Sequence, residues 1–369
     1  MSDANLAARR NPPAPVPTQV EVVSSLLPAW AWVMAVLFAF AAGVACLCFT
    51  VLLPSSNVAW MCLVDEKHDD QAYVAAKVLS GRLRQADIVV FGTSSTREAL
   101  WHEDALQTAI EPVGGRAKEI VILASSEQSP IEALFLATLG ETRSGQLFVV
   151  FLGFGALHFN SPFEKLENGA FLVSPEHLVA AFSQDNLYPR HWASWTSHLS
   201  MRWHALRQKL QRQIKFGLRS WVRKTIYGIP VQPYQIYRYA DVKQVYLGGK
   251  AEFVEQRKRD FAKNFESNLA YALQTLDLLA ITMKQNGSRM VIAAPPEFGP
   301  ELRQSHPAEY ARFEAGIRSV AQRNGIDVID WNPRIGWTAA DAIDSTHASP
   351  AGRDKWSAAF VDWVQRQRR

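Results

Sequence analysis

Two short stretches of this sequence carry residue types that together could run nucleophilic catalysis. The first is Gly92-Thr93-Ser94-Ser95-Thr96-Arg97, directly after the apolar run at 87–91 (DIVVF). A glycine after a buried strand lets the chain turn sharply and stands the following serine at the strand's carboxyl end. There the backbone N–H of Ser94 and the dipole of the helix it opens favour a developing oxyanion. The second stretch, Asp344-Ser345-Thr346-His347, precedes Pro350-Ala351-Gly352 and the last helical segment. A hydroxyl becomes a nucleophile when a base removes its proton, and near pH 7 that base is usually a neutral imidazole. The imidazole needs a carboxylate to hold its tautomer, and a spacing of three lets Asp344 and His347 share one loop. The expected triad is Ser94, His347 and Asp344. Each stretch alone has a plainer account: Ser94, Ser95 and Thr96 are helix-capping types, and one loop histidine among nine is unremarked chemistry.

The elements that must position these residues are legible in the periodicity. Short apolar runs at 87–91, 119–124 (EIVILA), 146–152 (QLFVVFL), 289–294 (RMVIAA) and 326–330 (IDVID) read as strands. Helical segments separate them, including a long one at 252–284 closed by Asn286-Gly287 and another that stops at Asn324-Gly325. Near-continuous Val/Ile runs between helices predict a buried parallel sheet with helices on both faces. Reactive groups of such sheets gather at the carboxyl ends of the strands, where Ser94 falls.

The pairing of Gly-x-Ser after the first strand with Asp-x-x-His before the last helix resembles the SGNH (GDSL-like) hydrolase superfamily. Its first block matches Gly92-Thr93-Ser94, with Thr93 in place of Asp, and its last matches Asp344 to His347. The segment 291–296, ending Pro295-Pro296, and the strand ending in Asp330-Trp331 also look like exported members; the likeness covers roughly 85–160 and 285–369. It implies an α/β fold, with a flavodoxin-like parallel sheet sandwiched by helices, and no cofactor or metal. The superfamily also completes its oxyanion hole with a Gly and an Asn. Here the second strand is followed by Ser125-Ser126-Glu127-Gln128-Ser129 with no glycine, and Asn160 after the third strand is the candidate second donor. Arg97 and Trp203 are candidate substrate-binding residues.

Residues 29–53 carry no charge and are about long enough to span a bilayer. Arg9 and Arg10 precede them, and Asp65, Glu66, Asp69 and Asp70 follow. This bias predicts a single-pass signal-anchor with a cytoplasmic N-terminus and the remaining chain outside. A cleaved signal peptide would have a shorter core, a lipoprotein signal would not place Gly43 three before Cys46, and a buried core helix is the plainer rival. The expected organisation is a disordered tail at 1–28, an anchor at 29–53, a membrane-proximal linker or helix at 54–80, with Asp65 to Asp70 solvated, and an exported domain at 81–369.

A basic helical insertion interrupts that domain at about 186–245. Residues 186–240 contain ten Lys or Arg and no Asp or Glu, so the rest of this +4 chain is net negative. Within 202–224, Trp203, Leu206, Leu210, Ile214, Leu218, Trp221 and Val222 fall on one expected face, with Arg and Lys over much of the remainder. Three readings stand: a helix on anionic lipid, a site for an anionic polymer with Trp192, Trp195 or Trp203 against sugar rings, or an ordinary helix docked on its own domain.

Composition narrows the function. At 369 residues the chain can bury a large core, and charge confined to one segment does not suggest a nucleic-acid binder. Three cysteines exclude a disulfide framework, and no Cys/His spacing suits structural zinc. The anchor plus SGNH-like domain resembles bacterial proteins of alginate O-acetylation and teichoic-acid D-alanylation. That resemblance implies an acyl-transfer enzyme on the periplasmic side of the inner membrane, an O-acetyltransferase or esterase. Its acceptor would be a polysaccharide and its partner a multi-spanning membrane acyltransferase. The alternative is a catalytically degenerate scaffold or polysaccharide-binding protein of an exopolysaccharide secretion complex.

Overall fold

The computed structural model describes residues 29–52, 70–110, 118–158, 163–168, 194–212, 251–296, 301–343 and 347–367, with single positions between 171 and 226. The chain divides into two compact units, Met1–Thr50 and Val51–Arg369. The first holds most of helix α1 (Ala29–Leu52), which has no acidic residue in its first turn and no basic residue in its last. Its side chains are described over residues 30–45, about 24 Å of helix. Trp30, Trp32, Phe38 and Phe40 are exposed there. Among the described residues no helix is long and apolar enough to cross a membrane.

The second unit is built on five parallel strands: β1 (Ile88–Gly92), β2 (Ile120–Ala124), β3 (Leu147–Phe151), β4 (Arg289–Ala293) and β5 (Asp327–Ile329). Every expected strand is present within one residue at each end. Their order is β2-β1-β3-β4-β5, the doubly wound order of flavodoxin-type sheets. The register pairs Val90 with Ile122 and with Val149, and Val149 with Val291. Successive side chains point to opposite faces, so the sheet divides two cores. Val89, Phe91, Val121, Leu123, Phe148 and Val150 face one of them. Ile88, Val90, Ile120, Ile122, Val149 and Val291 face the other.

Four helices cover the first face: α2 (Asp70–Leu79), α5 (Pro130–Leu139), α7 (Ala251–Gln285) and α8 (Pro307–Asn324). The second is covered by α4 (Glu103–Ala109) and α9 (Pro350–Arg366), whose Trp356, Phe360, Trp363 and Val364 are buried with Leu106. The short α3 (Ser94–Ala99) follows β1 directly. Gly287 and Gly325 end α7 and α8 at φ +66° and +65°, left-handed positions that glycine adopts without strain. The segment expected as a linker or helix ends in a core helix, since Ala72, Val74, Ala75 and Val78 of α2 are buried. Asp70 is not solvated: its side chain is 13% exposed and ion-paired.

Helix α5 is apolar all round and buried along most of its length, with Ser129 as N-cap and Pro130 at its first position. Glu132 closes the capping box by accepting from the Ser129 N–H at 3.0 Å. Burial pushes its carboxyl up to about 7, although the Lys165 ammonium 3.7 Å away and the Ser129 bond both pull it down. Lys165 also donates to the carbonyls of Ser126 and Glu127, at 2.6 and 2.7 Å. A carboxyl raised in the folded state binds its proton more tightly there. Its contribution to stability is therefore complete below 4.5 and lost as pH rises through about 7. Chemical denaturation at pH 5 and pH 8 should show wild type losing up to roughly 3 kcal/mol more than Glu132→Gln across that window. Equal losses would refute the assignment.

Helix α6 (Trp195–Arg212) is the described part of the basic insertion. Met201, Ala205 and Leu206 are buried, whereas Trp203 and Trp195 are 47% and 68% exposed. Trp203 was expected on the apolar face with Leu206. At about 100° per residue it lies about 160° round the helix from both Met201 and Ala205, which set the buried stripe. Leu210, Ile214, Leu218 and Trp221 have no described side chains. Trp192, one of three tryptophans that the polymer-binding reading offered to sugar rings, is buried: its Nε1 donates to Glu167 at 2.8 Å and its ring packs edge-on against Phe163 and Phe182.

Candidate active site

The carboxyl ends of β1 and β2 are locked together by one side chain. Gln128, buried in the loop after β2, accepts from the Gly92 N–H at 2.8 Å and donates to the Leu123 carbonyl at 2.7 Å. The Ser125 N–H adds a bond to the Gly92 carbonyl. Beyond this lock the chain leaves β1 through Thr93, extended at φ −87° and ψ −176°, and enters α3 at Ser94. A Cβ on Gly92 would stand 2.4 Å from Thr96 Oγ1, 2.8 Å from Thr96 Cβ and 3.0 Å from Phe151 Cβ. Glycine therefore lets α3 begin tight against the strand end. Thr96 is β-branched and buried, so it has little room to rotate away. Gly92→Ala is expected to push the first turn of α3 outward, at a cost of about 1–3 kcal/mol. Reaction at Ser94 should slow on the order of 100-fold. Thermal unfolding and labelling rate measure the two effects, and an unchanged labelling rate would contradict the geometry.

The second stretch is set by a narrow loop and the helix behind it. Ala342 and Ala348 form an antiparallel bridge, and the Ile343 N–H donates to the His347 carbonyl at 2.8 Å. The chain thus leaves and returns within five residues, which brings His347 back beside the start of α9. Ser349 caps α9 by accepting from the Gly352 N–H, and its own hydroxyl donates to the Ala340 carbonyl at 2.6 Å. Asp341, just before the loop, takes the Lys355 ammonium at 2.7 Å and the N–H and hydroxyl of Thr338. Burial pushes its carboxyl up, but these three bonds and the Lys355 charge outweigh it and hold it below its usual value.

Helices α9 and α3 are then joined across some 250 residues of sequence. Ser357 Oγ accepts from the Trp101 N–H at 2.8 Å and reaches the Ala99 carbonyl at 3.2 Å. Asp354 accepts from the Trp101 indole at 2.7 Å, and Arg353 Nε donates to the Glu98 carbonyl at 3.0 Å. With the helices held this way, His347 Nε2 lies 2.9 Å from Ser94 Oγ. In the tautomer that leaves Nε2 bare, the Ser94 hydroxyl donates to it, which is the arrangement a general base needs. The cap of α3 is Thr93, and Ser94 Oγ engages the imidazole rather than a helix end. Both side chains are half-buried.

Of the residues singled out from sequence, the fold brings Ser94 and His347 together. Asp344 and Asn160 lie outside the described residues. Arg97 is 5% exposed and its Nη1 lies 2.9 Å from Asp70 Oδ2, so its charge is engaged inside the fold. Trp203 is exposed on α6. Gln128 and Arg353 belong to no motif read from the sequence, because what marks them is a partner distant in the chain; Asp341 is marked only by its bonds to Thr338 and Lys355. Gly352 had a signal in Pro350-Ala351-Gly352. Among the described residues no group of His, Cys, Asp or Glu is arranged to hold a metal ion. No protein-family model matches this chain, and no curated protein is recognisably similar to it in sequence.

Proposed function

We propose that this chain is a serine-dependent acyl-transfer enzyme of SGNH type, anchored by its N-terminal helix and acting on a polysaccharide outside the bacterial inner membrane. The observation that carries the reading is the 2.9 Å contact between Ser94 Oγ and His347 Nε2 at the carboxyl end of β1. That strand sits where the sheet order reverses between β2 and β3, the usual place for a site in a doubly wound sheet. His347 takes the Ser94 proton as Oγ adds to the acyl carbonyl, and Asp344 on the same loop orients the ring. The backbone N–H of Ser94, with Asn160 as a second donor, stabilises the oxyanion. The intermediate collapses to an ester on Ser94 while His347 returns the proton to the leaving group. A sugar hydroxyl or water, deprotonated by His347, then takes the acyl group and restores Ser94.

The anchor rests on the uncharged run at 29–53 between a basic and an acidic flank. An anionic lipid or polymer at the basic insertion fits the exposed Trp195 and Trp203 beside Arg207 on α6. The acyl donor would come from a multi-spanning membrane acyltransferase. Intact-mass analysis of the full chain in detergent, treated with a fluorophosphonate or an activated acetyl ester, tests the core of the reading. The expected result is one adduct on wild type and none on Ser94→Ala. Folded wild type that takes no adduct from either reagent would overturn it, leaving the scaffold reading in its place.

A further inference from the structure

A line of four charged side chains runs from α2 through α3, the helix that Ser94 opens, to α9. Asp70 Oδ2, from α2, is 2.9 Å from Arg97 Nη1, and Arg97 Nε is 3.6 Å from Glu98 Oε1. Glu98 Oε2 is in turn 3.6 Å from Arg353 Nη2 on α9. The four side chains are 13%, 6%, 0% and 12% exposed. Asp70 also accepts from the N–H and hydroxyl of Ser126, both at 2.6 Å, in the loop after β2. Neither carboxylate oxygen of Glu98 has a hydrogen-bond partner among the described residues.

This is a costly way to fill a core. Desolvating four charges consumes most or all of their mutual attraction, and apolar side chains of similar volume are commonly as stabilising. What the charges supply is direction. Arg97 lies one turn beyond Ser94 on α3, and Arg353 lies in the first turn of α9, six residues beyond His347. With the bond from Arg353 Nε to the Glu98 carbonyl, the line fixes α3 against α2 on one side and α9 on the other. We infer that Asp70, Arg97, Glu98 and Arg353 are positioning residues that set the separation of Ser94 from His347. The inference rests on the serine-nucleophile reading above and extends it to residues that touch no substrate.

The decisive variant removes the central pair without leaving a lone buried charge: Glu98→Met with Arg353→Met in the full chain. Replacing both partners should leave the melting temperature close to wild type. Labelling by the fluorophosphonate at saturating reagent is expected to fall on the order of 10- to 100-fold, with the half-saturating concentration unchanged. A purely structural pair predicts the reverse, with the labelling rate recovered along with the stability. Asp70→Asn, close to isosteric and able to keep its bonds from Ser126, serves as a second variant and should also slow labelling at constant half-saturation. Asp362→Asn, 62% exposed on α9, is the control and should label like wild type. Wild-type rates in both the double variant and Asp70→Asn would overturn the inference alone. Absence of any label on wild type would instead remove the serine reading and this inference with it.

Discussion

Ser94→Ala is expected to lower turnover of an activated acetyl ester by on the order of 10⁴ to 10⁶, with the melting temperature unchanged. The loss is large because the variant removes the atom that forms the covalent bond, whereas the rest of the site can only bind and orient. The fold has no structural need of that hydroxyl: Thr93, not Ser94, holds the N-cap position of α3, and the described partner of Ser94 Oγ is the His347 ring at 2.9 Å. His347→Ala should cost a similar factor, and the double variant little more than either alone, since nucleophile and base act as one unit. A double-variant cycle on steady-state rates checks this. Additive losses would mean that the two side chains meet without cooperating, and a Ser94→Ala chain with wild-type turnover would end the enzymatic reading.

Gly352→Ala should be the most damaging single methyl group in the described structure. Alanine in place of glycine ordinarily stabilises a helix by about 1 kcal/mol, and Gly352 sits in the first turn of α9. Here a Cβ would stand 2.0 Å from the Asp341 carbonyl oxygen, 2.9 Å from its carbon and 3.2 Å from its Cα, all backbone atoms. That backbone has little freedom to retreat, because its carbonyl accepts from the Ser349 N–H at 2.9 Å and its carboxylate is clamped by Lys355 and Thr338. The clash must open the gap between α9 and the base of the loop that carries His347. The expected result is a reversed sign, with about 3 kcal/mol lost by denaturant unfolding and fluorophosphonate labelling of Ser94 nearly abolished. A variant as stable as wild type would contradict the close approach. The clamp has its own pH dependence. A depressed carboxyl stabilises the fold above its ordinary 3.8 and loses that contribution as pH falls through its folded value.

By itself the sequence determined the strands of the sheet and singled out Ser94 and His347. Strands are legible because burial on both faces demands unbroken Val/Ile runs such as VVF at 89–91 and VIL at 121–123, and helix ends because Gly287 and Gly325 adopt a backbone geometry that other residues resist. Ser94 and His347 stood out for a related reason: a strand end followed by glycine and serine, and a histidine before the last helix, are local arrangements with chemical meaning. Tertiary structure alone decided what surrounds them. Trp203 turns to solvent because Met201 and Ala205 define the buried stripe of α6, and Arg97 turns inward because Asp70 waits 27 residues earlier. The partners of Gln128, Arg353 and Ser357 are likewise named only once the sheet and its helices are packed. Periodicity records hydrogen bonding and burial within an element, over a few residues. Which side chain meets which across 253 residues, as Ser94 meets His347, depends on the angle and spacing at which whole elements pack, and no local pattern encodes that.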